Sequence, residues 1–337
     1  MDESFKKNVQ SAYIFKKVMN KIYYEIDENV KIYDIVAKIE SYISEELPNQ
    51  RNKGIAFPVG IGINHCVAHY TPTINDKNRI LKNGDIVKID FGVHVDGYIT
   101  DSAFTLPIGN IGKNKFSELI EISKKATLIG VNKSKIDVLL SEIGEDIEEY
   151  VLSKEIEIDG KMVDLKVMKE LCGHSIGVYK IHSGKAVPNC KLDFVYNERM
   201  KACEKYAIEP FITTGNGKCI YDKSNNHYML SRNYEEKYKK SKNKNEYKKV
   251  LYNNIMEKYM TLAFTQKWMY EGLNNYPKIN EKEYNIFERS LEELCKENIV
   301  EQYLPIYDVE GSYVAQHEHN VFIMEERVVH LTKNDKY

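Results

Sequence analysis

The stretch IVKIDFGVHVDGYITDSAFTL, residues 86–106, decides how the middle of this chain folds. Apolar Ile, Val and Phe alternate with polar residues on both sides of the dipeptide Asp96-Gly97. A two-residue hairpin turn of type I′ needs positive φ at both central residues, and Asp-Gly is one of the pairs that adopt it readily. The pattern therefore predicts a β-hairpin in which Val95 faces Tyr98.

Two aspartates fall on one face of this predicted hairpin. Paired residue numbers sum to 193, so Asp90 faces Ala103, and Asp101 is a diagonal neighbour of Asp90 on the same face. A diagonal separation of about 7–8 Å lets both carboxylates converge on one or two cations. The alternative is that both acids lie on a solvated face, where most charged side chains are found.

The composition is that of an ordinary globular protein. Of 337 residues, 42% are hydrophobic and 29% are charged, and the formal net charge is −2. That charge creates no global field that would capture nucleic acid or an anionic membrane. Six cysteines occur without a C-x-x-C pair, which favours a reducing, cytoplasmic compartment. We expect no secretory signal and no membrane span, since neither type of apolar segment occurs.

Helical and strand-like segments follow one another along the chain. Apolar residues recur at helical spacing in four segments, residues 5–26, 32–46, 114–129 and 135–152. Alternating, Gly- and Pro-punctuated strand patterns occupy three others, about 55–110, 160–221 and 304–330. Residues 250–300 look helical, so about 75 residues of helical material interrupt a strand-rich body.

Further residues of metal-ligand type stand in strand-like or Gly-rich settings. GHSIGVYKIHSG carries His174 and His182, YAIEPF carries Glu209, AQHEHNVFI carries Glu318, and VAHYTP carries His69. A single histidine of this kind is more often a hydrogen-bonded core residue than a ligand. Together with the two aspartates, however, carboxylates and an imidazole suit Mn, Fe, Co or Zn. Shared carboxylates suit a site with two ions about 3.5–4 Å apart.

These segments resemble a known enzyme family. AFPVG…AHYTP, KIDFG…DGYITDSAFT, GHSIG…IHSGKAVP, YAIEPF, NHYM, LAF and GSYVAQHEH occur in the order, and with nearly the spacing, of type 2 methionine aminopeptidases. The resemblance implies the α+β pita-bread fold, a pseudo-two-fold antiparallel sheet backed by helices. It also implies a catalytic domain of residues 1–227 together with 304–337, and an inserted helical subdomain of residues 228–303. Type 1 relatives lack this insert between the last two ligands.

The resemblance also implies roles for individual residues. Two divalent ions, Co, Mn, Fe or Zn, would be held by Asp90, Asp101, His174, Glu209 and Glu318. Glu209 would also move a proton, and His69 and His182 would be catalytic residues that contact the substrate. The methionine side chain would lie in a pocket formed by Phe57, Ile181, Phe211, His227, Ala263 and Tyr303.

The implied reaction is hydrolysis of the N-terminal methionine from nascent proteins and peptides with a small second residue. The partners are then nascent polypeptide N-termini, and fumagillin-class inhibitors would alkylate His69. We expect a monomeric, cytoplasmic enzyme without membrane attachment. The resemblance begins near residue 5, so we expect no charged N-terminal extension of the kind many eukaryotic relatives carry, and at most transient association with the ribosome.

One residue and one longer stretch also depart from the family pattern. His317 stands where the family has Phe, and because side chains alternate along a strand it should point away from the metals. The stretch 237–249 is richer in Lys than expected, and we expect it to be a solvated surface loop.

Two other functions stay open. The first is an inactive pita-bread protein that binds RNA or other proteins, for which the Lys and Tyr residues of 237–249 are the hint. Such relatives lose metal ligands, whereas all five are present here. The second is an Xaa-Pro dipeptidase, which shares the ligand set but carries a large N-terminal domain for which this chain has no room.

Overall fold

A computed structural model of the chain describes residues 3–47, 52–222, 224, 226–241, 245–273 and 281–334. The chain forms two compact units, Met1–Asp222 with Pro305–Tyr337, and Lys223–Leu304. In the described ranges, no helix is both long enough and apolar enough to cross a membrane.

Helices and strands are labelled in chain order. The helices of the described residues are α1 (Glu3–Ile22), α2 (Ile32–Glu46), α3 (Gly109–Lys133), α4 (Leu140–Leu152), α5 (Tyr234–Lys240), α6 (Glu246–Lys258), α7 (Gln266–Leu273) and α8 (Glu281–Lys296). The strands are β1 (Lys53–Ile63), β2 (Cys66–Ala68), β3 (Ile86–Val95), β4 (Tyr98–Pro107), β5 (Glu155–Ile158), β6 (Lys161–Asp164), β7 (Lys166–Val167), β8 (Cys172–Ile176), β9 (Ala186–Pro188), β10 (Lys205–Ile208), β11 (Phe211–Thr213), β12 (Ile220–Tyr221), β13 (His227–Leu230), β14 (Val300–Tyr303), β15 (Ile306–Tyr307), β16 (Val314–Gln316), β17 (His319–Ile323) and β18 (Val328–His330).

The central hairpin forms as its sequence predicts. Strands β3 and β4 are antiparallel, with Val95 opposite Tyr98 and Asp90 opposite Ala103. The two turn residues, 96–97, have φ of 51° and 80°. Strand β1 pairs with β3, which gives a sheet of order β1-β3-β4. The predicted register is therefore confirmed, and with it the placement of both aspartates on one face.

A second sheet carries the other half of the site. Its order is β18-β17-β10-β8-β9, with β10 at the centre. Ala207 of β10 faces His174 on β8 and Asn320 on β17. Paired residues in an antiparallel sheet share a face, so the register places these three side chains on one side. A further sheet, β16-β11-β7, leads the chain into β17.

Helices cover both sheets with apolar side chains. Helices α1 and α2 contribute buried Phe15, Ile35 and Ile39 to a core shared with β1, β3 and β4. Helices α3 and α4 pack against β10 and its neighbours in a second core. The α+β class expected from the sequence is confirmed.

One helix begins later than its periodicity predicts. Helix α4 starts at Leu140, not near residue 135. Asp137 has φ of 65°, a left-handed conformation that interrupts a helix. The backbone of Asp137 donates to the carbonyl of Met200, and Met200 donates to Val138. The N–H of Asp137 and the carbonyl of Val138, which a longer helix would pair internally, are thus hydrogen-bonded to Met200.

The second unit has its own core. Helices α6, α7 and α8 and the β13–β14 pair bury residues such as Leu251, Phe264 and Leu294. Part of the Lys-rich stretch 237–249 is helical, in α5 and α6, while residues 242–244 lie outside the described residues. Lys248 is fully buried and lies 2.8 Å from Glu297. The described part of this stretch is therefore mostly helical and not a loop; its described residues are exposed or partly exposed as expected, and Lys248 is the buried exception among them.

Helix α1 offers a test of the first core. The Phe15 and Phe91 rings stack with centroids 4.5 Å apart, and both side chains are fully buried. We expect Phe15→Ala to lower the free energy of unfolding by about 3–5 kcal/mol, since it leaves a cavity. The exposed Val9 on the same helix is the control, and Val9→Ala should change it by no more than about 0.5 kcal/mol. Equal urea midpoints for the two variants would contradict this packing.

Candidate metal centre

The five candidate ligands lie on the central hairpin and on or beside the strands of the second sheet. Asp90 lies in β3 and Asp101 in β4, on one face of the hairpin. His174 lies in β8, Glu209 follows the end of β10, and Glu318 stands between β16 and β17. Because Glu318 and Glu209 continue the strand faces that carry Asn320 and Ala207, the alternation of strand side chains directs them to the same side as His174.

Hydrogen bonds join the hairpin to the segment that carries Glu318. The backbone N–H of Glu318 donates to the Ala103 carbonyl at 3.0 Å. The Ser102 hydroxyl donates to the Glu318 carbonyl. One residue along, the N–H of Asp101 donates to Oδ1 of Asn320 at 2.9 Å. These bonds hold the carboxylates of the hairpin beside that of Glu318.

The ligand atoms meet in a small volume. The His174 Nε2 atom lies 3.4 Å from Asp101 Oδ2 and 3.3 Å from Glu209 Oε1. One ligand atom each from Asp101, His174 and Glu318 lie within 4.8 Å of one another, and all three residues are buried. Asp90 and Glu209 are partly buried. This arrangement can bind a cation through several ligands at once.

The carboxylates oppose one another's ionisation. Burial, together with the charges of Asp101 and Glu209, raises the pKa of Asp90 well above its usual value. Burial and the neighbouring acids do the same to the pKa of Glu318. Burial lowers the pKa of His174, but its bonds to Asp101 and Glu209 outweigh burial and raise that pKa to about 10. The cluster thus favours positive charge, whether from protons or from metal ions.

Unpaired oxygen atoms support a metal. Oδ1 of Asp90 and Oε1 of Glu318 are buried and have no hydrogen-bond donor among the described residues. A buried acceptor left without a partner costs about 1–3 kcal/mol, and more when it is charged. Carboxylate oxygens with one imidazole are ligands that divalent transition metals accept. The residues present therefore fit divalent metal ions.

Two further histidines lie beside this cluster. The His182 ring meets the His174 ring edge-on, with centroids 4.4 Å apart. Burial, with the neighbouring His174 and His69, lowers the pKa of His182 to about 3. His69 follows β2 with φ of 61°. Both predicted catalytic histidines therefore belong to the first unit; His182 contacts the ligand candidate His174, and His69 lies within electrostatic range of His182.

The predicted methionine-pocket residues divide between the two units. In the first unit, the Phe57 ring lies over Gly92, where an added Cβ would stand only 2.2 Å from the ring. Ile181 and Phe211 are buried in the same unit. The other three lie in the second unit, His227, Ala263 and Tyr303, and of these His227 faces Tyr303 across β13 and β14. A pocket formed by all six residues stays a prediction.

Three polar residues near the ligands escaped the sequence analysis. Gln316 Nε2 donates to Glu209 Oε2 at 3.4 Å, and Asn320 bonds the backbone of Asp101. Lys205 is buried on the same strand face, donating to Asn8 Oδ1 at 2.5 Å and to the Ile99 carbonyl. Side chains two or four residues apart on a strand share a face. Gln316 and Asn320 are each two residues from Glu318, and Lys205 is four residues before Glu209, so this alternation points to all three.

His317 lies as the alternation of side chains predicts. Its Nδ1 atom is 3.0 Å from the Ser123 hydroxyl of α3, on the helix-covered side of the strand. His319 is also buried, and its Nδ1 atom is 3.0 Å from the Thr332 hydroxyl. Neither residue belongs to the ligand cluster.

The fold and this centre define a metal-dependent hydrolase. More specifically, the chain belongs to metallopeptidase family M24, whose family model matches residues 7–231. It is similar to methionine aminopeptidase 2 of Komagataella phaffii, with 36% identity over 315 residues, 93% of this chain and 66% of that protein. It is also similar to methionine aminopeptidase 2 of Clavispora lusitaniae, with 35% identity over 333 residues, 97% of this chain and 71% of that protein. The chain spans about two thirds of the length of these curated relatives.

Solved structures share the fold at low identity. Methionine aminopeptidase from Rickettsia prowazekii gives a TM-score of 0.65 at 18% identity, covering 99% of this chain and 98% of that one. A thermophilic Arx1 gives 0.76 at 14% identity, covering 100% and 92%. These matches confirm the pita-bread fold expected from the sequence.

Metal removal should make stability depend on pH. The raised pKa values of Asp90 and Glu318 mean that the metal-free fold is favoured below about pH 4, where both acids are protonated in either state. The stability that the metal-free fold gains from protonated Asp90 and Glu318 is lost as the pH rises through their raised pKa values. Metal binding needs ionised carboxylates, so it strengthens over the same range. We expect the difference in Tm between metal-loaded and chelator-treated protein to widen with pH.

Glu318→Gln tests whether the buried carboxylates cause this pH dependence. It removes one buried negative charge, so the metal-free variant should melt above the metal-free parent at neutral pH. Added Mn²⁺ should then raise its Tm much less than that of the parent. A Tm of the metal-free parent that does not change between pH 5 and 8 would contradict this account.

Proposed function

We propose that this chain is a type 2 methionine aminopeptidase. It hydrolyses the N-terminal methionine from peptides and nascent proteins whose second residue is small. Its relatives at 35% identity over 97% of the chain are methionine aminopeptidases 2, which supports this activity. The observation that carries the proposal is the buried meeting of two glutamates, two aspartates and a histidine. An inactive binding protein would need none of these ligands.

The type 2 assignment rests on the position of the second unit. Lys223–Leu304 lies in sequence between Glu209 and Glu318. The family resemblance places a helical insert at this point in type 2 enzymes. Much of the described part of this unit is helical, in α5 to α8.

The proposed cofactor is a pair of divalent ions, Co, Mn, Fe or Zn. Asp90, Asp101, His174, Glu209 and Glu318 would hold them. Four carboxylates balance the charge of two divalent ions, whereas one ion would leave two negative charges buried. The chemistry that such ions supply is Lewis-acid activation of water and of the scissile carbonyl.

The chain's own residues then handle the proton and the developing charge. Burial raises the pKa of Glu209, which suits a group that takes a proton from water and returns it to the leaving amine. The low pKa of His182 keeps its ring neutral at pH 7. A neutral imidazole can still donate one N–H, and we assign that hydrogen bond to the carbonyl oxygen as negative charge develops on it. His69 is assigned to contact the scissile amide.

Selectivity is assigned to the apolar pocket. Phe57, Ile181 and Phe211 would contact the methionine side chain. A missing methylene in such a pocket costs about 1–3 kcal/mol, so side chains close to methionine in size should be cleaved slowly. By the same resemblance, fumagillin-class inhibitors would react with His69, and the enzyme would act as a cytoplasmic monomer that meets nascent chains at the ribosome transiently.

Peptide cleavage tests the proposal. With Mn²⁺ or Co²⁺, the protein should release methionine from Met-Ala-Ser and leave an Xaa-Pro dipeptide largely intact. Asp101→Asn should lower kcat about 100-fold or more, because changes to residues that only hydrogen-bond a metal ligand already cost about 10–100-fold. Asp159→Asn, in an exposed Asp-Gly turn, should leave kcat within about twofold.

Two outcomes would overturn it. Preferential cleavage of the Xaa-Pro dipeptide would move the protein to the dipeptidases. Undiminished turnover by Asp101→Asn would remove this residue from the ligand set.

A further inference from the structure

The loop that carries His182 is hydrogen-bonded to the turn of the central hairpin. It runs between β8 and β9 and includes Ile181 and His182. The backbone N–H of Tyr179 donates to the Gly97 carbonyl at 2.8 Å. Next to it, Val178 and Tyr98 form an isolated antiparallel bridge. The hairpin that supplies two metal ligands therefore also anchors this loop.

The Tyr179 ring makes the contact close. A Cβ atom added at Gly97 would lie 2.2 Å from Cδ2 of that ring. Tyr179 itself has φ of 54°, a left-handed conformation that costs free energy for a bulky residue. On the other side of the turn, Nδ1 of His94 accepts from the Gly97 N–H at 3.4 Å, and the His94 and Tyr179 ring centroids are 5.8 Å apart. The ring is thus seated against backbone that cannot accept a side chain.

The rest of the loop is closed upon itself. Gly177 donates to the Lys180 carbonyl at 2.8 Å, and Ser183 donates to the Ser175 carbonyl at 2.8 Å. The Ser183 and Ser175 hydroxyls are 3.0 Å apart. Tyr179 lies inside the Gly177–Lys180 turn, three residues before His182.

We propose that Gly97 and Tyr179 form a latch that positions His182 for the reaction. Both are positioning residues, since neither belongs to the ligand set or to the residues assigned to the substrate. The inference rests on the proposed function, in which His182 bonds the carbonyl oxygen as charge develops. Disturbing the latch should move His182 and leave the five ligands in place, because the ladder of β3 and β4 fixes the aspartates independently of the loop.

The chain offers a matched control for the latch. A second Asp-Gly turn, Asp159-Gly160, joins β5 to β6. Its φ values are 51° and 76°, against 51° and 80° at Asp96-Gly97. A Cβ added at Gly160 meets nothing within 4 Å. Gly97→Ala and Gly160→Ala therefore place an alanine in the same left-handed backbone conformation, at a similar cost in free energy. Only the Cβ atom of Gly97→Ala would clash with the Tyr179 ring.

Steady-state kinetics on Met-Ala-Ser with Mn²⁺ compare the two variants. We expect Gly97→Ala to lower kcat about 10–100-fold, because displacement of a catalytic group by about 1 Å has an effect of this size. Its KM and its Mn²⁺ affinity by calorimetry should stay within about threefold of the parent. Gly160→Ala should keep the parent's kcat. Equal kcat values for the two variants, or loss of Mn²⁺ binding by Gly97→Ala alone, would overturn the latch.

Substitutions of the ring itself keep the test decisive if Gly97→Ala does not fold. Tyr179→Phe retains the ring and should retain kcat, whereas Tyr179→Ala should lose kcat as Gly97→Ala does. Full activity of Tyr179→Ala would overturn the proposal.

A spectroscopic measurement separates the latch from the proposed activity. In ¹H–¹³C spectra of the imidazole groups, the His182 signal should shift in Gly97→Ala and stay in place in Gly160→Ala. If the parent protein did not cleave Met-Ala-Ser, the activity would be wrong, and this shift would still decide the latch. An unmoved His182 signal in Gly97→Ala would overturn it.

Discussion

Like charge held out of water is the constraint on which this structure depends. Asp101 and Glu318 are 5% and 1% exposed, and two more acids stand beside them. Two unit charges 4 Å apart repel by about 4 kcal/mol at the effective dielectric typical of proteins, whereas one hydrogen bond contributes about 1 kcal/mol. Several ionised acids at such distances exceed what the surrounding hydrogen bonds can offset. The arrangement is therefore stable at neutral pH only if positive charge is shared among the carboxylates.

Among the described residues, no lysine forms an ion pair with these carboxylates. Lys205 lies buried on the ligand-bearing strand face, but its ammonium donates to neutral oxygens of Asn8 and Ile99. Burial lowers the pKa of Lys205 to about 7, so even this charge is incomplete at neutral pH. His174 is the cation in direct contact with the acids among the described residues, and one imidazolium cannot neutralise four carboxylates. Protons on the carboxylates or divalent metal ions are the remaining means of balance, and membership of a metallopeptidase family favours the metal ions.

Local sequence predicted the parts of the fold that depend on local chemistry. An Asp-Gly turn between alternating strands was sufficient to predict the register of Asp90 and Asp101. The meeting of these residues with Glu318 depends on β17, which pairs with β10 more than 110 positions earlier in the chain, and no short-range pattern contains that pairing. The sequence analysis also missed Gln316 and Asn320, although the two-residue strand period from Glu318 points to them, and it took Lys248 for a solvated residue. Their roles follow from contacts between segments that are distant in sequence.

Family resemblance supplied what local patterns could not. It assigned His174 and Glu209 to one centre with the hairpin, and the structure places them within 3.3 Å of each other. It did not supply the hydrogen bonds around the ligands, because a motif shows which residues are shared and not which distant segments they contact; Gln316 and Ser102 lie inside shared motifs, and their bonds to Glu209 and to the Glu318 carbonyl follow only from the structure. The late start of α4 has the same origin, since the backbone of residue 137 bonds to Met200.

His174 lies between the carboxylate cluster and the His182 ring. Its Nε2 atom faces Asp101 and Glu209, and the same ring meets His182 edge-on. Without metal, His174 holds a proton and is one cause of the low pKa of His182, after burial. A metal ion bound at Nε2 would displace that proton and leave positive charge in nearly the same place. His182 would therefore be neutral with or without metal, and the hydrogen bond proposed for its N–H would be possible in both states.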